Sequence, residues 1–194
     1  MKIGFFGGTF DPVHIGHLLV AETVRSDFGL DRVVFIPACI QPFKPDGAVA
    51  DARSRLRMVE LALKGHPSLE VSDIEIRRGG VSYTVDTLKA LRQSTAESAD
   101  DFFWIVGMDG LIEMNRWKRA EDLLELATVL VASRPGFDEA QADALIRARA
   151  VQVETPPIGI SSSQIRSRVR LGTSIRFWVP DAVERFIMRE GLYR

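Results

Sequence analysis

The sequence predicts an α/β fold: a doubly wound parallel sheet with a small C-terminal helical cap. Three observations carry that prediction. Short apolar runs rich in β-branched and aromatic residues alternate with helical patterns over most of the chain, the way a parallel sheet with crossover helices reads. The first of those runs ends in a glycine turn, Gly7-Gly8, that leads into a helical pattern. From Ser161 onward, two helical patterns follow one another with no strand between them.

Strands are expected over Lys2 to Phe6, Arg32 to Ile36, Leu69 to Ile76, Phe102 to Val106, Thr128 to Ala132 and Val151 to Glu154. Helical patterns fall between them, beginning with the amphipathic Leu18 to Val24. Asp51 can cap a helix whose Leu56, Val59 and Leu63 share a face and which ends at Gly65. Thr84 to Arg92 and Asp138 to Arg149 read as further helices, the second opening on acidic residues that suit its dipole. Gln93 to Asp101 is polar and reads as an exposed loop, and Arg134-Pro135-Gly136 marks a turn. Of the C-terminal helices, one starts at a serine cluster and stops near Gly172; the other begins at Pro180-Asp181 and ends at Gly191. No internal repeat is visible, so residues 1–157 are expected to form the sheet core and residues 158–194 a helical part of the same domain. In such sheets a ligand sits beyond the carboxyl ends of the strands, where strand order reverses. Gly7 to Thr9 and Gly107 to Asp109 are placed to meet there.

Composition narrows the class. A chain of 194 residues suits one α/β domain with a sizeable core. A net charge of −1 argues against a protein whose main task is to hold a nucleic-acid backbone. No apolar run is long enough for a signal peptide or a membrane span. The lone cysteine, Cys39, has no internal disulfide partner, which fits a reducing compartment, and a cytoplasmic enzyme is the expectation.

The segment Gly7 to His17 is the most informative. The helix N-terminus offers unpaired N–H groups and a partial positive charge to an anion. His14 and His17, three residues apart, can both donate hydrogen bonds to it, and Gly7 and Gly8 let the backbone come close. A phosphate is the ligand this favours. Zinc is the rival for closely spaced histidines, with Asp11 as the only further ligand nearby, so no protein-held metal is expected.

Further segments carry chemical content. Serines 161–163 can cap a helix or face a phosphate, and Arg166, one turn on, has a donor fork that fits phosphate oxygens; a plain capped helix with a basic face reads equally well. Asp109, after the apolar strand Phe102 to Val106, can accept from a ribose hydroxyl or cap the next helix. Ser82 or Thr84 reads as the cap of a helix start whose N–H groups, with Thr84, can alternatively hold an anion. Trp117 can stack on a flat ring or pack in a core.

Together these segments resemble a known family. Thr9-Phe10-Asp11-Pro12 followed by His14-Ile15-Gly16-His17 is similar to the signature of the HxGH nucleotidyltransferases. Ile160-Ser161-Ser162-Ser163-Gln164-Ile165-Arg166 resembles their Ile-Ser-Ser-Thr-x-Ile-Arg motif, with Ser163 in place of threonine. Ser82 to Thr87 looks like the Ser-Tyr-Thr-x-Asp-Thr run of the nicotinate mononucleotide adenylyltransferases, and Trp117 with Glu121, Leu123 and Leu124 fits the same branch. Two departures stand out: Met108 within the family's Gly-Ala-Asp, and Phe43 where a histidine is common in the loop that ends at Lys44.

The resemblance implies a Rossmann-like fold and adenylyl transfer from ATP to nicotinate mononucleotide, giving deamido-NAD and pyrophosphate, with Mg²⁺ carried in by ATP. Catalytic roles fall to His14, His17 and Arg166. ATP contacts would come from Gly7, Gly8, Thr9 and Phe10, and from His14, Gly16 and His17 at the helix start. Gly107 and Asp109 would add to them, as would Ile160, Ser161, Ser162 and Arg166. Thr9, Lys44, Tyr83, Thr84 and Trp117 would hold the acceptor. No nucleic-acid or membrane partner is implied, and a homo-oligomer is left open. The alternatives are nicotinamide mononucleotide, or both mononucleotides, as acceptor, and a nucleotide sensor without turnover.

Overall fold

The computed structural model describes residues 1–43, 47–94, 101–133 and 136–194. Lys44, most of the polar Gln93 to Asp101 segment, and Arg134-Pro135 lie outside the described residues.

Six parallel strands form one sheet in the order β3-β2-β1-β4-β5-β6. They are β1 (Ile3–Gly8), β2 (Arg32–Pro37), β3 (Leu69–Val71), β4 (Phe102–Gly107), β5 (Thr128–Ala132) and β6 (Val151–Val153). β1 pairs with β2 on one side and with β4 on the other, so strand order reverses at β1. The crevice expected of a doubly wound sheet therefore opens between the carboxyl ends of β1 and β4.

Alternation along the strands builds two apolar layers. Phe6, Val33, Phe35, Ile105 and Leu130 face one side. There they meet α1 (Ile15–Asp27) and α2 (Ala52–Leu63), together with the C-terminal α8 (Ser162–Arg170) and α9 (Asp181–Glu190). Phe5, Val34, Ile36, Trp104, Val106 and Val131 face the other. That layer is covered by α3 (Ile74–Arg78), α4 (Thr84–Ser94), α5 (Met108–Glu113), α6 (Ala120–Leu126) and α7 (Ala144–Arg149).

Several elements differ from expectation. The strand expected over Leu69 to Ile76 stops at Val71, and Ile74–Arg78 is a single helical turn that buries Glu75. The helix expected over Asp138 to Arg149 is two pieces, a 3-10 turn at Glu139–Gln141 and α7. Each has its own aspartate cap: Asp138 accepts from the Ala140 N–H, and Asp143 from those of Leu145 and Ile146. On α2 the Asp51 cap is formed, but the buried face is Arg55, Met58, Val59, Ala62 and Leu63, with Leu56 only half-buried. Between β4 and β5, where no helix bounds were assigned, the chain forms the short helices α5 and α6.

Candidate active site

The loop after β1 is held in an unusual path by its own side chains. Phe10 has a left-handed backbone (φ 50°), which a non-glycine residue adopts only when its surroundings compel it. Its ring is buried against Phe6, Phe35 and His17, with centroids 5.6, 5.4 and 5.0 Å away. Gly8 is glycine for that reason: a Cβ there would stand 2.9 Å from the Phe10 ring. At Gly7 a Cβ would come within 2.4 Å of the Trp104 indole. The sequence reading assigned both glycines to close approach of a ligand; the tighter constraint is internal.

Asp11 and Arg55 lock this loop from below. The buried Asp11 carboxylate accepts from the backbone N–H groups of Val49 (2.8 Å) and Ala50 (3.1 Å) and from the Tyr193 hydroxyl (2.7 Å). Burial, and then the Asp11 charge, push the Tyr193 phenol far above its ordinary range, so it stays a donor. Arg55, 1% exposed, donates to the carbonyls of Thr9, Ala38, Cys39 and Ala50, tying the loop after β1 to the loop after β2. Burial pulls its pKa down and the Asp11 charge opposes this.

His14 is the N-cap of α1 rather than a residue of its first turn. Its ring stacks on His17 with centroids 3.7 Å apart. Gly16 leaves room for it, since a Cβ there would lie 3.1 Å from two atoms of that ring. The His17 Nδ1 accepts the His14 backbone N–H at 3.2 Å, which makes Nε2 the donor of that ring.

The start of α8 closes on the same loop. Ser161 and Gln164 form a reciprocal capping box, so the Ser161 hydroxyl serves the helix. The Ser162 hydroxyl donates to the Pro12 carbonyl (2.9 Å), and Arg166 donates to the Asp11 carbonyl (2.7 Å). Across the crevice, Gly107 caps α5, and the Asp109 carboxylate folds back so closely that a Cβ on Gly107 would meet it at 2.6 Å.

The loop after β1, the start of α1, the start of α8 and the Gly107–Asp109 turn border one open cavity of about 520 Å³. Gly7, Gly8, Thr9, Phe10, His14, Gly16 and His17 line it from one side, Gly107 and Asp109 from another, and Ile160, Ser161, Ser162 and Arg166 from a third. A recess of about 110 Å³ adjoins it, sharing Gly7, Gly8, Gln41, Phe43 and Trp117 as walls. Tyr83 and Thr84 line the recess, as do Trp104, Glu75, Ser82 and Lys118. Every described residue given a catalytic, ATP-binding or acceptor-binding role from the sequence thus lies on the cavity or its recess.

The recess is framed by two loops joined edge to edge. Ile40 bridges Val81, the Ser82 N–H donates to the Ile40 carbonyl (2.8 Å), and the Cys39 N–H donates to the Ser82 hydroxyl (2.9 Å). Glu75 accepts from the hydroxyls of Thr87 (2.6 Å) and Ser82. Its burial raises the carboxyl pKa, against those hydrogen bonds and the Arg78 charge. Lys118 sits 4.6 Å from the centre of the Tyr83 ring and pairs with Asp86 at 2.9 Å. Arg116 lies over the Phe43 ring.

Arg55, Tyr193, Glu75, Trp104 and Lys118 were not singled out from the sequence. Only Arg55 left a trace: with Met58, Val59 and Ala62 it occupies the i, i+3, i+4, i+7 stripe that should be apolar.

Comparison with known proteins shows the family to which the chain belongs. The cytidylyltransferase-like family model matches residues 5–168. The chain is 43% identical over 194 residues to a Thermus thermophilus protein named "Probable nicotinate-nucleotide adenylyltransferase", covering 100% of both chains. It is 41% identical over 219 aligned positions to a protein of the same name from Desulfatibacillum aliphaticivorans, again covering 100% of both. Its fold is similar to that of the Plasmodium falciparum nicotinic acid mononucleotide adenylyltransferase complexed with NaAD, with a TM-score of 0.81, 18% identity, and coverage of 99% of this chain and 97% of that one.

Proposed function

This chain belongs to the nicotinate-nucleotide adenylyltransferase family of nucleotidyltransferases, and we propose that it transfers the adenylyl group of ATP to nicotinate mononucleotide, giving deamido-NAD and pyrophosphate in NAD biosynthesis. The observation that carries this reading is the meeting of two cavities at Gly7 and Gly8: a large one edged by His14, His17, Arg166 and a helix start, and a small one edged by Tyr83, Thr84 and Trp117. ATP fits the first and the pyridine ring the second, which brings the acceptor phosphate to the junction.

An oxygen of the acceptor phosphate attacks the α-phosphorus of ATP. The bond from that phosphorus to the β-phosphate breaks, and pyrophosphate leaves with the electron pair. A phosphate monoester has a second pKa of about 6 and is mostly dianionic at neutral pH, so no side chain need take a proton from it. What remains is positioning two anions in line and stabilising charge on the leaving group. His17 donates through Nε2, with His14 stacked behind it, to the triphosphate. Arg166, fixed by donors to the Asp11 carbonyl and the Ser163 hydroxyl, turns its guanidinium toward the departing pyrophosphate. Gly107 and Asp109 hold the nucleoside side, and Thr9 and Lys44 steer the acceptor phosphate. Tyr83 and Thr84 present N–H groups to the ring carboxylate while Trp117 stacks on the ring.

Nucleotidyltransferases of this kind generally use a divalent metal with ATP. Among the described residues no group of three or more His, Cys, Asp or Glu side chains is arranged to hold an ion. Mg²⁺ carried in by the triphosphate would shield the charge of the leaving pyrophosphate. Residues 1–194 act as one domain, a sheet core over 1–157 and a helical part over 158–194, supported by the apolar layer that α8 and α9 share with α1 and α2. The lone Cys39 supports a cytoplasmic setting. Steady-state assay with ATP and each pyridine mononucleotide tests the proposal: pyrophosphate release with the nicotinate form supports it, and its absence with both acceptors refutes it.

A further inference from the structure

Trp104 presents a buried polar group that the proposed reaction has not used. The residue is 2% exposed, on β4 beside Phe5 of β1, and lines the small recess but not the larger cavity. Its indole Nε1–H has no hydrogen-bond partner among the described residues. Buried donors without partners are rare, because each forfeits the hydrogen bonds it makes with water in the unfolded chain. The indole is also placed with care. Its Cε2–Cζ2–Cη2 edge, whose Cε2 carries Nε1, packs beneath Gly7, where the absence of a Cβ makes the room. Gly7 is itself a wall of the recess, and Trp104 lines the same recess.

The chemistry of that recess identifies the partner. An acceptor atom is needed, and Glu75, the buried carboxyl nearby, already takes the hydroxyls of Thr87 and Ser82. We propose that the Trp104 Nε1–H donates a hydrogen bond to an oxygen of the acceptor's ring carboxylate, adding a side-chain donor to the N–H groups around Tyr83 and Thr84. Trp104 is thereby a specificity-determining residue for the acid over the amide. The inference rests on the acceptor assignment made above. A carboxylate gains more from a donor than a neutral amide oxygen does, since hydrogen bonds to charged groups are the stronger.

Trp104→Phe keeps an aromatic ring in the core and removes the donor, together with some buried ring volume whose loss bears on both acceptors alike. The expected result is a fall of about tenfold in kcat/KM for nicotinate mononucleotide, carried by KM. The fall with nicotinamide mononucleotide should be smaller, and KM for ATP should hold within about twofold. Equal losses with both acceptors, or no loss, overturn the inference. A second measurement on the wild-type protein does not depend on the variant folding. The three tryptophans, labelled with ¹⁵N at the indole, report separately once Trp117→Phe and Trp178→Phe assign their signals. Adding nicotinate mononucleotide without ATP should move the Trp104 indole proton downfield. A Trp104 signal that stays in place while the wild-type enzyme turns over defeats this inference alone. A wild-type enzyme that adenylates neither mononucleotide defeats the functional reading beneath it.

Discussion

His17 is the residue on which the proposed chemistry leans most. Its Nδ1 is committed to the His14 backbone, and its ring is wedged between Phe10 and His14, so Nε2 is held in a fixed direction. A donor organised before the reaction begins is worth most in the transition state, where charge builds on the triphosphate. His17→Ala should lower kcat by about 10²-fold while KM for ATP changes little, and near-normal turnover would remove the assignment. Glu75 offers a different kind of test. Its folded-state pKa lies above the ordinary 4.5 because the carboxyl is buried. Between pH 4.5 and that raised value the native protein holds a proton that the unfolded chain has released, so this group costs stability as pH rises through the window. Glu75→Gln cannot titrate. The melting temperature of the wild type relative to Glu75→Gln should therefore decline as pH rises above about 4.5. A difference that stays flat or grows would show that the carboxyl is ionised throughout.

At the scale of elements, what could be read from the sequence was what local pattern controls. Asp51 and Ser161 announce helix starts through their own side chains, and both caps are formed. Ile74 and Ile76 alternate like a strand, yet Asp73 and Arg77 pair along one helical turn, and the buried carboxyl of Glu75 finds its partners only from there. That outcome depends on Thr87 and Ser82, which no pattern within the segment reveals. The loop after β1 shows the same limit. Its motif marks His14 and His17, but its shape depends on Arg55 from α2 and Tyr193 from beyond α9. Tyr193→Phe removes one buried hydrogen bond to a carboxylate and should cost about 1.5–3 kcal/mol in urea unfolding. An unchanged urea midpoint would show that Asp11 does not hold the C-terminal segment in place.

For the molecule as a whole, the alternation of strand and helix patterns was enough for the fold class, and the switch point followed from it. All six strands were located, though β3 was drawn too long. The recess was harder to read, because its walls come from β4, the loop after β2 and the segment around α3 and α4, which meet only in the folded chain. Trp104 in particular looks in the sequence like one more apolar strand residue. The account as a whole holds that this recess presents mainly donors to the acceptor's ring substituent. A carboxylate satisfies them, whereas an amide NH₂ facing the same N–H groups leaves polar atoms unpaired, at about 1–3 kcal/mol. The most direct test is kcat/KM measured side by side for nicotinate and nicotinamide mononucleotides at saturating ATP. The account predicts a preference for the acid of at least about tenfold. Equal efficiency with the two, or a preference for the amide, would contradict it.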